Sequence, residues 1–128
     1  MLPPRLAGFA AILLVSAVMS AGGCGSATDD RPPQWSFISA TIIEPSCATV
    51  NCHSAITHQG GVDLSAREIG YLTLVNGDYT KDNGDPSSSA LVTLLNAVGS
   101  TRMPPDNPLS EADIQLIESW IGHGALDN

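Results

Sequence analysis

Apolar residues recur at helical spacing in four stretches of the chain and alternate at strand spacing nowhere. In W-S-F-I-S-A-T-I-I, residues 35–43, Trp35, Ile38 and Ile42 fall near one face. Pro45 is expected to stop this helix, because it has no N–H and its ring meets the preceding turn. A second helix is expected after Ser65, an N-cap with Glu68 at the third helical position, and it carries Ile69, Leu72 and Leu74. The third follows Pro86 and the serines at 87–89, with Leu91, Val92, Leu94 and Leu95 as its apolar content. The fourth opens on Ser110, with Asp113 standing in for the glutamate of a capping box. It aligns Ile114, Ile117, Trp120 and Ile121 on one face and ends near Gly122 and Gly124. Between these stretches lie H-Q-G-G-V, N-G-D-Y-T-K-D-N-G-D-P and R-M-P-P-D-N-P, all built of turn residues. The pattern predicts an all-α domain of about four short helices and long loops.

The N-terminus follows a different pattern. Met1 to Arg5 forms a short basic region, and Leu6 to Ala21 is an apolar run of mostly small residues, too short to span a bilayer comfortably. It ends in A-G-G-C, which resembles a bacterial lipobox with Ala21 where leucine is commonest. On that reading residues 1–23 are a lipoprotein signal peptide and Cys24 becomes the acylated first residue. G-S-A-T-D-D-R-P-P then completes a flexible tether over 24–33, and the folded unit runs over 34–126. The expected location is the bacterial cell envelope, anchored to a membrane by lipid and facing the periplasm or the cell surface. Ordinary cleavage nearby, with Cys24 left as a spare thiol, is the plain alternative.

Thirteen acidic residues stand against five basic ones, and the net charge is −8. That balance excludes a nucleic-acid footprint, which needs clustered lysine and arginine. It suits a partner with a basic docking face, although acids that simply keep a small domain soluble would look the same. A domain of roughly 90 residues with so few aromatics has little apolar area to bury, and domains of that size commonly rely on a staple, a metal or a cofactor.

With Cys24 assigned to lipid, Cys47 and Cys52 remain as a pair in an oxidising compartment. They belong to C-A-T-V-N-C-H, two cysteines with His53 directly after the second. Two residues usually separate the cysteines of a c-type haem motif; here there are four. The adjacency of Cys52 and His53 fixes their mutual placement, whereas the first cysteine has only to reach the second vinyl group, and a longer loop can bulge outward to let it. Met103 stands in a loop stiffened by Pro104 and Pro105, just before the last helix, and it is the only methionine outside the signal segment. A thioether is a soft ligand suited to haem iron.

In these residues the chain resembles a monohaem cytochrome c domain, and it is similar to the cytochrome c-like modules of planctomycete and myxobacterial surface proteins and lipoproteins. The matching pieces are Cys47 to His53, Gly60 to Leu64, Asp85 to Val92, Met103 to Pro105 and Trp120 to Ala125. The resemblance implies a cytochrome c-like fold around one covalently bound haem c, with thioethers from Cys47 and Cys52, His53 as proximal iron ligand and Met103 as distal ligand. It further implies that Trp35 or Phe37 packs against Trp120. The implied activity is one-electron exchange with redox partner proteins outside the cytoplasm, not enzymatic turnover.

Other readings remain open at this level. Cys47 and Cys52 could form a disulfide in a haem-free binding lipoprotein. Zinc could be held by Cys47, Cys52 and His53 with His58 or His123, although adjacent Cys-His ligands fit structural zinc spacings poorly. His58 or His123 could replace Met103 at iron, and a haem-bearing sensor or assembly module is a further alternative. The chain has no nucleophile motif, no phosphate-binding glycine loop and no second C-H pair.

Overall fold

The computed structural model describes residues 28–80 and 84–128. The expected signal segment and Cys24 lie outside the described residues. Within them the domain is all-α, with four helices, three short 3-10 turns and no strand. None of the helices is long and apolar enough to cross a membrane.

The first helix, α1 (residues 35–47), is continuous but changes winding. Trp35–Ile38 is α-helical, Ser39–Ile43 is π-helical, and Glu44–Cys47 returns to α. The expectation that Pro45 ends this helix is therefore corrected: the helix runs through it to Cys47. A π turn places each N–H on the carbonyl five residues back, as Glu44 N–H does on Ser39. That wider winding lets the chain pass a proline ring that would meet the carbonyl of a tighter turn. Side chains reinforce the irregular stretch. The Thr41 hydroxyl donates to the Phe37 carbonyl at 2.8 Å, and the buried Ser39 hydroxyl donates to Glu44 Oε1 at 2.8 Å.

Helix α2 (Arg67–Asn76) begins later than its sequence suggests. Its N-cap is Ala66, which offers no side-chain cap, so the assignment of Ser65 as N-cap is corrected. Ser65 is taken up in a local turn instead, its N–H donating to Asp63 Oδ1 at 2.9 Å. Of the apolar residues expected on this helix, Leu74 is buried while Ile69 and Leu72 stay exposed. The buried face is made by Gly70 and Leu74, and a Cβ at Gly70 would sit 3.3 Å from Trp35 Cζ2. Helix α3 (Ala90–Leu95) is capped by Ser89 and buries Leu91, Val92 and Leu95. The carbonyl of Tyr79 couples it to the end of α2, accepting from the Ser89 hydroxyl at 2.7 Å and from Leu91 N–H at 2.9 Å.

Helix α4 (Glu111–Gly122) matches its sequence signature. Ser110 caps it, and Ile114, Ile117, Trp120 and Ile121 are buried as their spacing predicts, joined by Leu116. It closes in a Schellman turn, with Ala125 N–H on the Trp120 carbonyl at 3.0 Å and Gly124 N–H on the Ile121 carbonyl at 2.9 Å. Gly124 adopts φ +94°, which its lack of a Cβ permits. The turn sends the chain back to α1, where Asn128 Oδ1 accepts from Trp35 N–H at 2.9 Å and the Asn128 carbonyl accepts from Ser36 N–H at 2.8 Å. Two otherwise unpaired donors at the start of α1 are thereby satisfied. The core joins α1 to α4 through Trp35 and Trp120, so Trp35 rather than Phe37 meets Trp120.

Candidate functional site

Cys47 ends α1, and the chain then makes a tight excursion back to it. His53 N–H donates to the Cys47 carbonyl at 3.1 Å, which closes the segment containing both cysteines, and Cys52 N–H donates to Thr49 at 2.9 Å. Of the four residues between the cysteines, Ala48 packs against the core and Thr49, Val50 and Asn51 bulge outward, with Val50 73% exposed. The extra length of this motif is thus absorbed in a solvent-facing loop, while Cys52 and His53 keep their adjacency. Beyond the motif, Leu64 N–H on the His53 carbonyl at 2.8 Å and Gln59 N–H on the Cys52 carbonyl at 3.0 Å hold the following loop against it.

Met103 reaches the same place from the other side of the sequence. Its N–H donates to the Leu94 carbonyl at 3.0 Å, at the end of α3. The Arg102 side chain braces the proline pair that follows, its Nη2 donating to the Pro105 carbonyl at 3.0 Å. Cys47, His53, Gln59 and Met103 together line two cavities of about 290 and 300 Å³. The first is apolar, walled by residues such as Ile43, Leu64, Leu74, Leu91 and Leu95. The second adds Cys52, Ser46, Asn51, Pro104 and Pro105. All four residues singled out from the sequence, Cys47, Cys52, His53 and Met103, therefore meet around this space. Gln59 and Leu94 also line it and were not singled out; H-Q-G-G reads as an ordinary turn, and only the fold shows that it borders the site.

Two groups here carry unusual chemistry. Burial pushes the Cys47 thiol up to about 11, with the neighbouring Cys52 adding to the effect, so Cys47 stays a neutral S–H near pH 7. Nδ1 of His53 is buried without a hydrogen-bond partner among the described residues. A buried polar atom left in that state costs about 1–3 kcal/mol, which marks His53 as a residue whose position is not explained by folding alone.

The alternative ligands lie elsewhere. His58, in a left-handed conformation at φ 44°, pairs through Nε2 with Asp63 Oδ2 at 3.3 Å and lines neither cavity. Hydrogen bonds from Ser65, then the nearby His58, hold the Asp63 carboxyl below the ordinary carboxylate range. His123 is exposed at the end of α4, its Nδ1 2.7 Å from the Ser119 carbonyl. Among the described residues no three His, Cys, Asp or Glu side chains converge as a metal site, so the four-ligand zinc arrangement is not assembled. Cys47 and Cys52 are both free thiols.

No protein-family model, curated protein or solved structure matches the chain. Its chemistry rests on the arrangement itself: two thiols, an imidazole and a thioether around an apolar space.

Proposed function

We propose that the protein is a monohaem c-type cytochrome that exchanges single electrons outside the cytoplasm. The observation that carries this reading is the meeting of His53 and Met103, fifty residues apart in sequence, on the same pair of cavities beside Cys47. The residues fit the group. Cys47 and Cys52 offer S–H groups for addition across two vinyl C=C bonds, a step that forms S–C and C–H bonds and needs no oxidant. The unpartnered imidazole of His53 and the thioether of Met103 are a nitrogen and a soft sulfur donor of the kind that hold haem iron. Leucine, isoleucine and valine give the space beside them a mostly apolar wall.

Haem iron, when bound, supplies a one-electron couple between ferric and ferrous states. The chain's own part is to hold both axial donors, keep water out and bias the couple. A thioether raises the potential relative to a second imidazole. If His53 and Met103 both held the iron, a substrate would find no open position on it, which favours electron transfer over a sensing role.

Covalent attachment decides the reading. Protein produced with haem-attachment machinery should keep its colour through denaturation and acid-acetone extraction, and the Cys47→Ser/Cys52→Ser double variant should lose it. Complete extraction of haem from the wild type, or a colourless product, would sink the proposal and leave a haem-free binding lipoprotein.

A further inference from the structure

Cys47 lines both cavities, and Ile43, one turn before it on α1, lines the first. Continuous α winding would not bring Cys47 there. From Ile38 to Cys47 is about two and a half α turns, which would set Cys47 roughly 180° round the helix from the buried Ile38. A π turn holds about one residue more than an α turn, so the stretch Ser39–Ile43 takes up one position and Cys47 falls roughly 80° from Ile38 instead. The buried run of Trp35, Ile38, Ser39, Ile42 and Ile43 then continues into Cys47 on one side of α1.

The turn is fastened twice between the same two residues. Glu44 N–H donates to the Ser39 carbonyl, and the Ser39 hydroxyl donates to Glu44 Oε1 at 2.8 Å. Ser39 is 1% exposed, on a face otherwise given to tryptophan and isoleucine, where a hydroxyl is costly without its acceptor. Pro45 removes the alternative winding, because an α turn would set its ring against the Thr41 carbonyl and it has no N–H to offer there. We propose that Ser39 and Pro45 are positioning residues for Cys47: they hold α1 in its π turn, and the turn aims the thiol at the cavities it shares with His53. The placement stands apart from the haem reading. Its consequence, that haem is held by two thioethers and not one, rests on that reading.

Releasing the turn shows which cysteines the fold presents. Ser39→Ala/Pro45→Ala removes the side-chain bond and supplies the N–H that α winding needs. Deleting Ala40 from that variant, an exposed residue inside the turn, removes the surplus position, so that ordinary α winding returns Cys47 to the cavity side. Full-length proteins made with haem-attachment machinery are denatured, alkylated and mapped by peptide mass spectrometry, which separates thioether from free thiol at each cysteine. Wild type should carry both thioethers. The release variant should keep Cys52 attached and leave Cys47 mostly free, and the deletion should restore both. Undiminished Cys47 attachment in the release variant would overturn the proposal. So would a loss that the deletion does not restore, the result expected if Ser39 and Pro45 served stability alone. Should the release variant yield no folded protein, the deletion variant decides, since it must match wild type at both cysteines. Wild type without covalent haem would end the haem reading separately. The three proteins are then compared in the native state by alkylation of Cys47, which should be slow in wild type, about tenfold faster once burial is lost in the release variant, and slow again after the deletion. Equal rates in all three, or a fast rate that the deletion does not slow, would overturn the placement.

Discussion

Trp35 stacks on Trp120, ring centroids 5.0 Å apart and planes inclined by 29°, and each indole N–H finds a backbone carbonyl: Arg67 for Trp35 and Leu126 for Trp120, both at 2.9 Å. The pair ties α1 to α4 and, through its hydrogen bonds, fastens the start of α2 and the chain after α4. Both rings are at most 1% exposed. Because α1 ends in Cys47, this contact fixes one wall of the site from a distance.

A double-mutant cycle measures the contact. Trp35→Phe and Trp120→Phe should each destabilise the domain, since each deletes an indole N–H bond to a backbone carbonyl and leaves a gap beside the remaining ring. The coupling between them, obtained from denaturant unfolding, should be about 0.5–1.5 kcal/mol, the range for aromatic pairs beyond their burial. Strict additivity would mean that the rings merely neighbour each other.

How much of this was readable beforehand differs from helix to helix, for physical reasons. Helix α4 was legible apart from the burial of Leu116: its cap, the rest of its buried face and its glycine turn obey local rules, and packing agrees with them. In α1 the apolar spacing was legible but the end was not, because the rule that proline stops a helix assumes α winding and the chain changes to π winding around Pro45. At α2 a good capping box lost to a competing local bond, since Asp63 lies two residues before Ser65 and captures its N–H. The site residues Cys47, Cys52, His53 and Met103 carry distinctive chemistry and stood out as types. Gln59 did not, because an ordinary polar residue becomes informative only when the fold sets it beside a cavity.

Arg31 links the segment before α1 to the start of α4 through Asp113. Burial raises the Asp113 carboxyl, but the Arg31 guanidinium and the Ser110 hydroxyl outweigh it and hold the group below its ordinary range. A carboxyl depressed in the folded state contributes stability above its unfolded value, near 3.8, and loses it as pH falls through the lower folded value. Asp113→Asn should therefore cost stability at pH 7 and little at a pH below the folded value. Both partners are partly exposed, so the pairing loss should be small, about 0.2–1 kcal/mol. Unfolding curves of wild type and variant that stay equally separated from pH 7 to pH 2 would contradict this.

Cys24 lies outside the described residues, and its expected acylation is tested by fractionation. One acyl chain gives marginal membrane binding, whereas several give a stable anchor. Wild-type protein should sediment with membranes and be released by detergent. Cys24→Ala, exported through a replacement signal peptide, should appear in the soluble periplasmic fraction. Wild type found soluble would refute the lipobox reading.

Met103 makes the sharpest test of the proposed axial pair. It lines both cavities with His53, its N–H is held by Leu94, and the proline pair after it is braced by Arg102. His58 and His123 are occupied at Asp63 and at the end of α4. Ferric wild-type protein should show the weak far-red absorption of sulfur-to-iron charge transfer, and Met103→Ala should abolish it. The same substitution should lower the reduction potential, because a thioether favours ferrous iron more than water or nitrogen does. Stability should fall as well, since the loop after α3 loses its tie across the site and ligation energy is folding energy in a domain this small. His58→Ala and His123→Ala should leave the absorption and the potential unchanged, with His58→Ala costing only the local pairing with Asp63. If Met103→Ala changes nothing while either histidine variant shifts both spectrum and potential, the second axial donor is that histidine, and the site must rearrange from the structure described to bring it in.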